Sequence, residues 1–305
     1  MPNYSGMWTL QAQMQAVSQS LWPVAPSNLY AWGFNAQGQL GQNNLIYRSS
    51  PVQIGSGNVW GNVSAGDTHT AAIKTDGTLW AWGNNSAGQL GQNNTISTSS
   101  PVQVGVLTTW SNISANGDGC FAIKTDGTIW TWGSNGNGQL GQNDRIYRSS
   151  PVQVGALTTW SKVAGGQYLS IAIKTDGTLW SWGRNNYGQL GQNIAYTISR
   201  SSPVQVGALT TWLSFATCAT TSLATKTDGT LWAWGYNGDG QLGDNTTTRR
   251  SSPVQVGALT TWLNVACNSY AGVATKTDGT LWTWGNNKYG QLGQNDSIYR
   301  SSPVQ

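Results

Sequence analysis

Only one histidine, His69, and no glutamate occur among the 305 residues, so proton transfer would have to run through that imidazole or through an aspartate of raised pKa. No Ser/His/Asp triad stands out from that inventory. Cys120, Cys218 and Cys267 are odd in number and match no zinc spacing, so they read as small buried thiols. The run GSNGNG at 133–138 resembles a phosphate-binding glycine loop by its letters. Its context is wrong, because it joins two strands and does not open a helix. The sequence therefore predicts a non-enzymatic protein with no catalytic residues, no bound metal and no cofactor.

What remains is the chemistry of recognition. Tyrosine and arginine are the side chains that most often carry binding energy at protein surfaces. Here they cluster in connections that vary between otherwise similar segments. The candidate binding residues are Tyr47, Arg48, Arg145, Tyr147, Arg148, Tyr168, Arg184, Tyr187, Tyr196, Arg200, Tyr236, Arg249, Arg250, Tyr270, Tyr289, Tyr299 and Arg300.

A repeat positions them. The phrase TDGTLWAWGxNxxGQLG recurs, and the tryptophan of its WG step falls at Trp32, Trp82, Trp132, Trp182, Trp234 and Trp284. A fixed period near fifty residues marks a repeat architecture. In the unit 160–206, residues 160–164 form a short mixed strand A. Alternation over 169–174 predicts strand B. The Asp176-Gly177 turn leads into an aromatic strand C at 178–183. Val204-Gln205-Val206 reads as strand D, with Pro203 at its start. Four-stranded units repeated in this way are the blades of a β-propeller, and each must stack on its neighbours to bury its faces. Three indoles per unit then read as packing between blades, with an aromatic cage for a ligand as the alternative.

The segments 73–91 and 173–191 resemble repeats of the RCC1 (regulator of chromosome condensation) family, and the likeness runs from residue 29 to 305. The resemblance implies a β-propeller, a fold that in this family often has seven blades; six WG steps here predict six four-stranded blades in an all-β domain at 29–305. It also implies a structural role for His69, since relatives commonly place histidine at the start of strand B. RCC1 itself promotes nucleotide exchange on a small GTPase and binds chromatin. None of the loop residues that carry those activities can be matched here.

Residues 1–28 stand apart as an attachment or blade-completing segment. Leu10, Met14, Val17 and Leu21 fall at helical spacing, which predicts a short helix over 7–22. The alternative is that this stretch supplies strands A and B of the first unit, since Trp8 lies 24 residues before Trp32. The segment GMWTLQAQMQAVSQSLWP also resembles short pieces of virion and tail-associated proteins of marine bacteriophages, which carry RCC1-like arrays of their own. On that resemblance the protein is a bacteriophage tail, fibre or virion-associated component. It would bind a host glycan or protein through one variable loop face, with virion assembly as a further association. The alternative is an intracellular scaffold or guanine-nucleotide exchange factor for a small GTPase.

Net charge is +4, and no basic tail is present, so nucleic acid is not an expected partner. No apolar run reaches the ~20 residues that span a bilayer, and residues 1–10 lack a signal peptide's regions. Virion or cytoplasm is the expected location. Between units, the B–C turn (KTDGT) and the D–A connection barely change. The A–B turns and C–D loops do change, and in a four-stranded blade those two open on the same side.

Overall fold

A computed structural model describes residues 28–55, 60–268 and 270–305. Every regular element in them is a β-strand. The first unit contributes β1 (Tyr30–Gly33) and β2 (Arg48–Gln53). The second contributes β3 (Trp60–Ala65), β4 (His69–Lys74), β5 (Leu79–Gly83) and β6 (Thr98–Gln103), paired antiparallel in that order. Four-stranded blades of the same order follow at 110–153, 160–205, 212–255 and 262–304. The six expected blades are present, and the first has two strands among the described residues. The expected helix over 7–22 lies outside them.

Strand D begins earlier than its sequence signals. It starts at Arg200 in the fourth unit and ends at Gln205, with Pro203 inside it. The register of β13 (Leu179–Gly183) against this β14 strand shifts between Ser181 and Gly183. Proline is tolerated mid-strand because D is the outer edge, where no further strand needs its N–H.

Neighbouring blades meet through one joint made five times. Gln39, Gln89, Gln139, Gln189 and Gln241 each turn a backbone carbonyl toward the next blade. There it accepts a hydrogen bond from Nε1 of Trp82, Trp132, Trp182, Trp234 and Trp284 respectively, at 2.8–2.9 Å. These five indoles are fully buried. A glycine two residues after each glutamine lets the backbone approach the ring. At Gly191, which has φ +68°, an added Cβ would lie 2.7 Å from Trp234 Nε1. Positive φ and close approach both require glycine there.

The other indoles explain the constant B–C turn. In the fourth blade Trp180 Nε1 donates to Thr178 Oγ1, and that hydroxyl donates to Asp176 Oδ1. Asp176 Oδ1 also accepts from the Thr178 backbone N–H, and these bonds hold its carboxyl below the usual carboxylate range. The turn lysine does not pair with the aspartate. Lys174 Nζ sits 3.7 Å from the centroid of Trp180 and 5.1 Å from that of Trp160, a cation–π arrangement repeated in the other four complete blades. The aromatic cage that the sequence allowed is thus filled by the chain's own lysine. Thr178→Val keeps the side-chain shape but removes the shared hydroxyl, leaving Trp180 Nε1 without its acceptor. Urea denaturation should show a loss of about 1–3 kcal/mol, the cost of an unmet buried hydrogen bond.

Candidate binding face

The face of interest is assembled by strand direction. A and C run the same way, so the A–B turn and the start of the C–D loop emerge side by side. Backbone bonds fasten them: the N–H of Asn84, Ser134, Arg184, Tyr236 and Asn286 each donates to the A–B turn carbonyl of its own blade, at 2.9 Å. The rest of the C–D loop is built around a buried asparagine. Asn135 Nδ2 donates to the carbonyls of Asp144 and Ile146, while its Oδ1 accepts from the Leu140 N–H. The Asn-x-x-Gly-Gln-Leu letters therefore serve the loop's own shape and its joint with the next blade.

Near the axis, A–B turns of five blades surround a polar cavity of about 250 Å³ lined by Asp67, Asn116, Gln167, Cys218, Cys267 and Asn268, among others. Asp118 stands close by. Burial, and then the charge of Asp67, push its carboxyl pKa up, while Gln89 Nε2 from the preceding blade donates to its Oδ1 at 3.2 Å. Cys218 is buried and donates to the Thr221 carbonyl at 3.3 Å. Cys267 of the next blade contacts Cys218, and that contact followed by burial raises its thiol pKa well above the ordinary range. A thiol raised in this way stays protonated and is a poor nucleophile.

The candidate tyrosines and arginines fall into three groups. One joins the fourth and fifth blades: Tyr187 and Tyr236 meet edge to face at 5.1 Å, and the Arg249 guanidinium lies 4.9 and 5.3 Å from their ring centroids. Within the fourth blade, Arg184 lies 5.1 Å from the Tyr168 ring, so a C–D loop and an A–B turn meet there. A second group is committed inside its own loops. Arg148 pairs with Asp144, Arg250 with Asp244 at 2.8 Å and Arg300 with Asp296 at 2.6 Å. Arg48 and Arg200 also open D strands, half-buried, but their Nε atoms have no hydrogen-bond partner. The third group is exposed and scattered: Tyr47 (against Phe34), Arg145, Tyr147, Tyr196, Tyr270, Tyr289 and Tyr299. The structure thus gathers Tyr187, Tyr236 and Arg249 in one cluster and Tyr168 with Arg184 in another, and does not gather the rest. The sequence could not separate these classes. An aspartate four or six residues before the arginine is the signal that marks the self-paired ones.

His69 opens β4 and is fully buried, with Nε2 3.2 Å from Cys120 Sγ of the next blade. Burial lowers its pKa to about 4, opposed by a smaller hydrogen-bond contribution from the Gly119 backbone. The chain's one imidazole is therefore neutral at ordinary pH and buried from solvent. Among the described residues no group of three or more His, Cys or Asp could hold a metal ion, and no helix is long and apolar enough to cross a membrane.

Comparison with known proteins agrees with this geometry. The RCC1-like domain family matches residues 24–263. Two models of the regulator of chromosome condensation (RCC1) repeat match 262–291 and 278–305. A search of curated proteins found no match. Among solved structures, yeast RCC1 (Prp20) bound to Kap60 superposes with a TM-score of 0.80 at 22% identity, over 91% of this chain and 70% of that one. Human WBSCR16 gives 0.79 at 22% identity, over 92% and 78%. Prp20p from Saccharomyces cerevisiae, described with its binding properties to Gsp1p and histones, gives 0.57 at 19% identity, over 92% and 86%. At these identities the superpositions speak for the fold.

Proposed function

Given that this chain belongs to the RCC1-like domain family, we propose that it is a non-enzymatic scaffold that binds a protein partner through its A–B and C–D face. The observation that carries this reading is the patch joining the fourth and fifth blades. Two tyrosines and a guanidinium from the C–D loops of two blades converge there, with a second Arg–Tyr pair, Arg184 and Tyr168, in the fourth blade, while other arginines are neutralised in their own loops. Rigid aromatic rings with a stacked guanidinium supply contact area at low entropic cost. His69, buried and neutral at ordinary pH, is poorly suited to proton transfer, which favours binding over catalysis.

The partner class follows from the family. Solved relatives are described with the proteins Kap60, Gsp1p and histones. A small GTPase is therefore the first partner to test, with exchange-factor or scaffold activity as the role. The polar axial cavity, flanked by Asp67 and Asp118, offers hydrogen-bonding groups to a segment inserted there. The phage-tail reading draws only on the likeness within residues 1–28 and gains no support from the fold comparison.

Binding of fluorescent-nucleotide-loaded small GTPases and core histones decides between these. Replacing Tyr187, Tyr236 and Arg249 together by Ala should weaken binding at least about 100-fold, as expected when a hot spot is removed. Arg148→Ala, on a self-paired arginine, should change it by less than about threefold. Equal effects from both variants would refute this face. Failure of every GTPase to bind or release nucleotide at micromolar protein would remove the GTPase reading alone.

A further inference from the structure

The axial cavity brings together two of the chain's three thiols. Cys218 follows β15 (Trp212–Thr217) of the fifth blade, and Cys267 ends β19 (Trp262–Cys267) of the sixth. Both line the cavity, and they share a hydrogen bond although they are 49 residues apart in the chain. The repeat explains the meeting. Cys218 is the sixth residue after its strand A tryptophan, where the second and fourth blades have Gly66 and Gly166. That position points at the next blade. A Cβ added at Gly66 would lie 2.9 Å from the Gly117 carbonyl oxygen, and one added at Gly166 would lie 2.5 Å from that of Cys218. Among the complete blades, only the fifth places a thiol there. Only the sixth ends strand A on a thiol; the other four have Ala65, Ala115, Gly165 and Thr217.

We propose that Cys218 and Cys267 are a peroxide-sensitive pair that closes into a disulfide and ties the fifth blade to the sixth beside the binding face. Cavity size selects the oxidant. Cys218 is 7% exposed and lines a space of about 250 Å³. Hydrogen peroxide is little larger than a water molecule, which takes about 30 Å³. In the first step the Cys218 sulfur attacks one peroxide oxygen. The S–O bond forms, the O–O bond breaks, and the departing hydroxide takes the thiol proton and leaves as water. The sulfenic acid then stands against Cys267, whose proton was held chiefly by its contact with the Cys218 sulfur and then by burial. Oxidation removes the first of these causes. In the second step the Cys267 sulfur attacks that of Cys218. The S–O bond breaks, and hydroxide leaves with the second thiol proton as water. Two thiols and one peroxide give one disulfide and two waters. Cys120 sits in the third blade against His69 and serves as the internal control. The assignment holds whatever partner the face binds.

Peptide mapping tests it, with the full native chain exposed to millimolar hydrogen peroxide and then unfolded in alkylating reagent. The expected product has lost about 2 Da, two hydrogens, and contains one linked pair, Cys218 with Cys267. It should form at least about tenfold faster than any oxidation of Cys120. Cys267→Ser should stop at oxygenated Cys218 with no link. Both thiols still alkylatable after excess peroxide, or a link to Cys120 or between two chains, would overturn the assignment. The tie between blades has its own readout. Oxidation should raise the Tm by about 5 °C, reversibly on reduction, as expected for a bond that closes a long loop. Cys267→Ser should show no such rise. A Cys218–Cys267 link that leaves the Tm unchanged would show that it does not hold the two blades together.

Discussion

Trp234→Ala is expected to cost about 3–5 kcal/mol in unfolding free energy, the range for removing a large buried aromatic ring. Trp234 is fully buried, packs edge to face on Trp212 at 6.1 Å and holds the fourth blade through its bond to the Gln189 carbonyl. Alanine would leave a cavity on the joint itself, where Gly191 has no side chain to extend into the space. In a stacked repeat each unit leans only on its neighbours. The lost protection should therefore concentrate in the fourth and fifth blades, and hydrogen exchange across all blades would show it. Trp234→Phe keeps part of the apolar volume and drops the indole donor. It should cost less, about 1–3 kcal/mol, because Ser222 still satisfies the Gln189 carbonyl. A loss below about 1 kcal/mol for the alanine variant would mean that the joint does not hold the ring together.

His69 should make stability fall as the solution is acidified from pH 7 to pH 4. In the folded chain its pKa is lowered from 6.5 to about 4 by burial. Between those values the unfolded chain takes up a proton that the folded chain refuses, so acid favours unfolding. The stability is full above the unfolded pKa and is lost as pH falls toward the folded one. The difference of about 2.5 units corresponds to about 3 kcal/mol at 1.36 kcal/mol per unit. His69→Leu provides the control, because Leu169 stands at the same position of the fourth blade and is equally buried. The turn aspartates, whose pKa values are lowered by threonine hydrogen bonds, lose stabilisation in acid in both proteins. Only the His69 contribution should vanish in the variant. Parallel stability curves for the two proteins from pH 7 to 4 would contradict this account.

Much of the fold was legible because a period of about fifty residues leaves few architectures open. The WG steps gave the blade count, and alternation gave strand B to the residue. Strand D was misplaced by its proline, since a breaker reads as a boundary until the strand is known to be an outer edge. Constant letters in the C–D loop were legible as structure but not as a mechanism. Only the coordinates show Asn135 buried beneath its loop and the Gln139 carbonyl meeting Trp182 of the next blade.

The candidate face was legible in outline and not in detail. Copy-to-copy variation placed Tyr and Arg on the A–B and C–D side, because antiparallel order alone fixes which connections share a side. Which arginines are available was a question of distance. Arg148, Arg250 and Arg300 turn back on Asp144, Asp244 and Asp296, whereas Arg249 lies against two mutually touching tyrosines that are 49 residues apart in the chain. The sequence by itself determined the family, the repeat and the scarcity of proton-transfer groups, all properties of residue type and spacing. The tertiary structure decided that His69 is buried and neutral, that the turn lysines cap indoles, and that Tyr187, Tyr236 and Arg249 from two blades form one cluster. Burial and contact between blades are set by how separate units stack, and no single unit's sequence carries that geometry.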